Sequence, residues 1–208
     1  MKIQLAFIYC YLLTMIISCN YQNRKVNFER DLPDYKNGIS RDLTGLQASR
    51  DALKLDTLEN GYDSIQIRVW FTYARIDTFQ ILSLKKTDHK WSAYYCKTGF
   101  QINPGGDSIL SYSKDDHEIF PKSGWQTVMD SIFNFNILTL PDCRKIKGYD
   151  FPFDGGNSVT FEISTEKKYR LYMYELPSKN KEYKEAANVD SILRLLSEEF
   201  HIKYLGNY

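Results

Sequence analysis

The sequence is poor in the residues that carry most recognisable chemistry. Its 208 residues include only 3 His, 4 Cys, 3 Trp and 6 Pro. The histidines are His89, His117 and His201, and with no C-x-x-C and no H-E-x-x-H they leave zinc-type ligand spacing without support. G-x-x-x-x-G-K, a strand-following G-x-G-x-x-G and G-x-S-x-G are also missing, which excludes the phosphate-loop, dinucleotide and serine-hydrolase signatures. Neither sign of charge is in excess, with 27 Lys plus Arg against 26 Asp plus Glu, so the electrostatic argument for nucleic-acid binding falls away. Hydrophobic residues at 43% and charged residues at 25% exclude a disordered, collagen-like or polytopic membrane protein. What is plentiful is tyrosine, with 16 copies against 12 Phe.

The amino terminus carries the strongest signal. After Met1-Lys2, residues 3–17 form an uncharged, largely apolar run. It is shorter than the roughly 20 residues that a membrane-spanning helix needs, and one cation before a short apolar run is the layout of an export signal. The run ends Ile16-Ile17-Ser18-Cys19. This ending resembles the lipobox of bacterial lipoprotein precursors. The resemblance implies cleavage before Cys19, a diacylglycerol on its sulfur and an acylated new amino terminus. Ser18 is small enough for a peptidase cleft, a thiolate alkylates readily, and several acyl chains at about 0.8 kcal/mol per buried CH₂ anchor stably. Loss of residues 1–18 removes Lys2 and no acid, leaving 26 basic and 26 acidic residues. Asn20-Tyr21-Gln22 after the Cys is not acidic, which favours a lipid-anchored protein facing the periplasm from the outer membrane.

The organisation expected along the chain is a signal peptide over 1–18, a flexible tether over 19–40 and one globular domain over 41–208. Residues 41–60 are open between a short helix and an extended lead-in. Beyond the turn signal Asn60-Gly61, Ile65, Ile67, Val69 and Phe71 alternate with Gln66, Arg68 and Trp70, as in a half-buried strand. Further strands fit 79–84, 91–97 and 108–113. The period then changes to that of a helix, with Trp125, Val128, Met129, Ile132 and Phe133 on one stripe and Ser123 with Gln126 as a capping box. A last hairpin follows, and a helix over about 181–200 carries Val189, Ile192, Leu193, Leu196 and Phe200. The fold class expected is α+β: a single antiparallel sheet of about six strands in the order ββββαββα, with two helices on one face. Cys96 and Cys143 remain after processing, and both a disulfide and two separate thiols are open.

Two clusters stand out as candidate sites. Asp115-Asp116-His117-Glu118 could offer two or three metal ligands from a loop, but a solvated acidic turn explains it more simply. The final hairpin is the stronger candidate. If Val159, Phe161 and Ile163 share a face with Tyr169, Leu171 and Met173, Glu162 stands opposite Tyr172, with Glu166-Lys167-Lys168 as the loop. Glu162, Arg170, Tyr172 and Tyr174 then gather on the other face as ligand-binding candidates, near Arg68 and Trp70. An Arg and a Glu framed by aromatic rings can hold a sugar or a peptide terminus, while a solvated face with a Glu162–Arg170 pair is the plainer reading.

Ser123-Gly124-Trp125, Leu140-Pro141-Asp142, Gly148-Tyr149, Asp154-Gly155 and the run Tyr169 to Tyr174 resemble a pattern in small envelope lipoproteins of the Bacteroidota type. That resemblance implies location and architecture. The function expected is a membrane-anchored binding or interaction domain without catalysis or cofactor, its partner an envelope protein or glycan. The rival reading is an envelope hydrolase or metal-dependent enzyme using Asp115–Glu118 or the Glu162/Arg170 face.

Overall fold

The structure is a computed structural model that describes residues 27–33, 40–73, 78–102, 109–151 and 157–203. The lipobox, the whole of the expected signal, and residues 19–26 and 34–39 of the expected tether lie outside these residues. Among the described residues seven strands form one sheet: β1 (Glu29–Asp31), β2 (Ile65–Thr72), β3 (Thr78–Thr87), β4 (Lys90–Ile102), β5 (Ile109–Ile119), β6 (Ser158–Thr165) and β7 (Lys168–Glu175). Their order is β1-β7-β6-β2-β3-β4-β5. Three α-helices among the described residues accompany it: α1 (Arg41–Leu53), α2 (Trp125–Asn134) and α3 (Lys184–Phe200).

The α+β class is therefore present, with three differences from expectation. The sheet has seven strands, not six. It is mixed, because β1 runs parallel to β7 while every other pair is antiparallel. A third helix, α1, covers the second face. The extra strand lies in the stretch expected as a tether: the backbone of Glu29 donates to Lys167 O at 2.9 Å and Lys168 Nζ meets Glu29 at 2.8 Å. Gly61 explains part of this docking. At φ 102° it forms the turn ahead of β2, and a Cβ there would sit 3.0 Å from the Phe28 ring.

The alternation in β2 folds as the residue pattern requires. Ile67, Val69 and Phe71 join Leu82, Leu84, Val159, Phe161, Ile163, Tyr172 and Tyr174 in the main core. Val128, Met129 and Ile132 of α2 and the expected stripe of α3 close it from above. The capping box of α2 does not form. Gly124 is the N-cap, at φ 88° and ψ 157°, and no side chain caps it. Ser123 lies one residue too early, where its backbone N–H donates to Glu199 Oε2 at 2.7 Å. Asp88 and His89 both have positive φ at the tip between β3 and β4, the geometry of a tight hairpin turn.

Cys96 packs with Leu53, Trp70 and Ile81 on the α1 side, whereas Cys143 belongs to the main core on the opposite side. The sheet separates the two sulfurs, both are free and buried, and a bridge between them is ruled out by topology. Burial pushes both thiols up, Cys143 to about 12.

Candidate functional site

The final hairpin has a register one residue away from that expected. Phe161 faces Tyr172 and Glu162 faces Leu171, leaving a two-residue tip at Glu166-Lys167. A slip of one residue turns every side chain of a strand to the other face. The four ligand-binding candidates are thereby divided. Glu162 lies under α1, while Arg170, Tyr172 and Tyr174 point into the opposite side. Tyr172 stacks on Phe161, ring centroids 5.0 Å apart, and its hydroxyl donates to Ile137 O at 2.6 Å. Arg170 donates to Leu138 O, to Leu140 O at 2.8 Å and to Asp31 Oδ2 at 2.9 Å. It thus ties the segment after α2 and strand β1 to the sheet. Tyr174 is fully buried. These three side chains are spent on the fold.

On the other face Glu162 is the centre of a buried polar cluster. Arg68 Nη1 donates to its Oε2 at 3.0 Å, Trp70 Nε1 to the same oxygen at 3.2 Å, and the Tyr169 hydroxyl to Oε1 at 3.2 Å. Arg68 Nη2 also donates to Asp56 O at 3.2 Å. The expected neighbourhood of Glu162 with Arg68 and Trp70 is therefore real. Glu162 is 0% exposed, and burial outweighs the Arg68 charge and the hydrogen bonds, raising its carboxyl above the ordinary range. It has no path to a ligand.

On the same face, between α1 and strand β1, lies a cleft of about 610 Å³. Its walls are Arg30 and Asp31 of β1 with Leu32, the face of α1 that carries Leu43, Gln47 and Arg50, and Thr57, Glu59 and Asn60. Local sequence accounts for each wall. Ser40 caps α1 by accepting from Leu43 N at 3.1 Å, and Lys54, in the left-handed conformation, ends it. The chain then returns along the helix through residues 54–60. Glu59 anchors that return: its Oε1 accepts from Arg50 and, at 2.8 Å, from Gln47 Nε2, while its Oε2 accepts from Leu58 N at 3.0 Å. Burial alone would raise the Glu59 carboxyl, but the hydrogen bonds from Arg50 and Gln47 and the Arg50 charge hold it below its usual range. Arg30 closes the β1 side, donating from Nε to Glu59 O and from Nη2 to Asn60 Oδ1, each at 3.0 Å. Asp31, against Arg170 and Lys145, is likewise held low despite partial burial.

The Asp115–Glu118 cluster is not a turn. It occupies the edge strand β5, where successive side chains alternate between faces. Lys114 Nζ meets Asp116 at 2.7 Å, and His117 Nδ1 lies 3.7 Å from Asp115. Charged side chains on an edge strand discourage pairing with another chain. His117 and His201, far apart in sequence, line a smaller cleft of about 260 Å³ with Tyr95, Gln80 and Lys97. The Tyr95 hydroxyl there is raised to about 12, chiefly by burial. Among the described residues no group of three His, Cys, Asp or Glu is placed to hold a metal ion.

The main cleft was not foreseen from sequence. Its polar residues come from three separate segments, two of which carried no assignment, and the one available signal was the turn at Asn60-Gly61. Comparison of the chain with family models, with curated proteins and with solved structures found no match.

Proposed function

We propose that this chain is a lipid-anchored binding domain of the bacterial envelope, held at Cys19 on the periplasmic side of the outer membrane, and that its ligand occupies the cleft between β1, α1 and residues 57–60. The observation that carries the reading is the nearness of the lipobox to the cleft wall along the chain. Arg30 follows Cys19 by eleven residues, a reach of at most about 40 Å even when fully extended. A ligand in the cleft is met close to the membrane surface.

Binding rather than catalysis is supported by the state of the charged groups. Glu59 and Asp31 are both held ionised by arginines, below the range useful for moving a proton near neutral pH. Glu162, whose carboxyl is raised, is sealed beneath α1.

Mass spectrometry of the protein recovered from membrane fractions tests the anchor. The expected amino-terminal peptide begins at acylated Cys19, and Cys19→Ser accumulates the unprocessed chain. Recovery of the intact Met1 start from the cytosol contradicts the reading.

A further inference from the structure

We infer that the ligand of the cleft is a saccharide; the inference rests on the cleft being the binding site and names the class of molecule it takes. The walls present both donors and acceptors that have no partner among the described residues. Gln47 must donate from Nε2 to the Glu59 carboxylate, so its Oε1 is left as an acceptor on a residue that lines the cleft. Asn60 must accept through Oδ1 from Arg30, so its Nδ2 is a donor. Among the described residues neither of these outer atoms has a partner, and the same holds for the Thr57 hydroxyl and for Nη1 of Arg30. The charged neighbours decide which end of each amide is left over: Glu59 takes the Gln47 donor and Arg30 takes the Asn60 acceptor.

This pattern selects among ligand types. An anion needs donors alone, and a cation needs acceptors alone. The carboxylates that could attract a cation are already engaged, Glu59 by Arg50, Gln47 and Leu58 N, and Asp31 by Arg170 and Lys145. A sugar hydroxyl both donates and accepts, so a polyhydroxylated ring satisfies Gln47, Thr57, Asn60 and Arg30 together. Leu32 and Leu43 supply apolar surface for the C–H face of such a ring. The volume of about 610 Å³ lies within the usual range for small-ligand clefts, roughly 300–1,000 Å³.

The test is calorimetric titration of the full chain in detergent with five trisaccharides (maltotriose, cellotriose, mannotriose, galactotriose and chitotriose), beside triglycine and inorganic phosphate. At least one trisaccharide is expected to bind, and Gln47→Ala and Thr57→Val are each expected to weaken it about fivefold or more, the loss of one hydrogen bond. Thr57 is exposed, so its substitution keeps the test independent of folding. Binding of triglycine or phosphate with the same dependence on Gln47 and Thr57 overturns the saccharide class while leaving the cleft as the binding site. Silence from every probe, or trisaccharide binding indifferent to both substitutions, overturns the class and the cleft together.

Discussion

The two faces of the sheet are built on different principles. The α2/α3 face carries one continuous apolar core, from Ile67, Val69 and Phe71 across Leu82 and Leu84 to Phe161 and Tyr172. The α1 face carries two small clusters, one around Trp70, Ile81 and Cys96 and the other around Leu58, Tyr169 and Leu171. Between and beside them stand two buried ion pairs, Arg68–Glu162 and Arg50–Glu59. Apolar burial at about 25 cal/mol per Å² holds most of the first face, with the Arg170 and Tyr172 hydrogen bonds at its margin. The second is held by hydrogen bonds whose partners must all be present. The difference teaches where the fold can host a ligand. Among the described residues the larger cleft, of about 610 Å³, lies on the α1 face, which is not filled with close-packed side chains, and a smaller one of about 260 Å³ lies at the edge of the other.

The sharpest way to break the comparison is to exchange its materials. Phe161→Ala removes a ring from the continuous core and is expected to cost about 3–5 kcal/mol in urea denaturation. Glu162→Leu strands Arg68 without its carboxylate and is expected to cost a similar amount, about 3–5 kcal/mol. The double variant Arg68→Met with Glu162→Leu separates the two cases. It is expected to recover most of that loss, because an apolar pair needs no desolvated charge, whereas no second substitution opposite Phe161 refills the cavity so directly. A double variant as unstable as Glu162→Leu alone would show that the pair itself, rather than its unmatched half, holds the α1 face.

Acid and base sharpen the contrast within that face. The folded Glu59 carboxyl lies below its unfolded value near 4.5, so the stability it contributes is present above that value and is lost as pH falls through the folded one. The folded Glu162 carboxyl lies above 4.5, so its contribution has the opposite sign: stability is greatest below 4.5 and declines as pH rises toward the folded value. Denaturant midpoints measured across this range are expected to lose their acid-side fall in Glu59→Gln and their decline above pH 4.5 in Glu162→Gln. Identical profiles for both variants would remove the distinction. The smallest effect belongs to the edge strand, where Lys114→Ala breaks an exposed pair with Asp116 and is expected to change stability by less than about 0.5 kcal/mol.

The same contrast accounts for what could be read in the sequence. Strand β2 and the stripes of α2 and α3 face the apolar core, so their periodicity is plain in the order of residues. The hairpin register is not, because the argument that both apolar sets share one face fails when both faces are covered. Tyr169 and Leu171 serve the α1 side, and Tyr172 and Tyr174, with ring bodies that pack and hydroxyls that need partners, serve the core. Strand β1 is Glu29-Arg30-Asp31, three charged residues held in place by parallel backbone pairing, and it carries no hydrophobic pattern at all. Helix α1 buries only Arg50 and Leu53, too thin a stripe to distinguish a helix from an extended segment. The cleft lies where these two weakly patterned segments meet, and no periodicity in the sequence marks its residues.

Native-state hydrogen exchange, resolved by mass spectrometry of peptides from α1, α2 and α3, tests the division of the sheet most directly. Residues 125–134 and 184–200 are expected to exchange only through global unfolding, and residues 41–53 through a local opening at least roughly 2 kcal/mol easier. Equal protection of all three helices would contradict it.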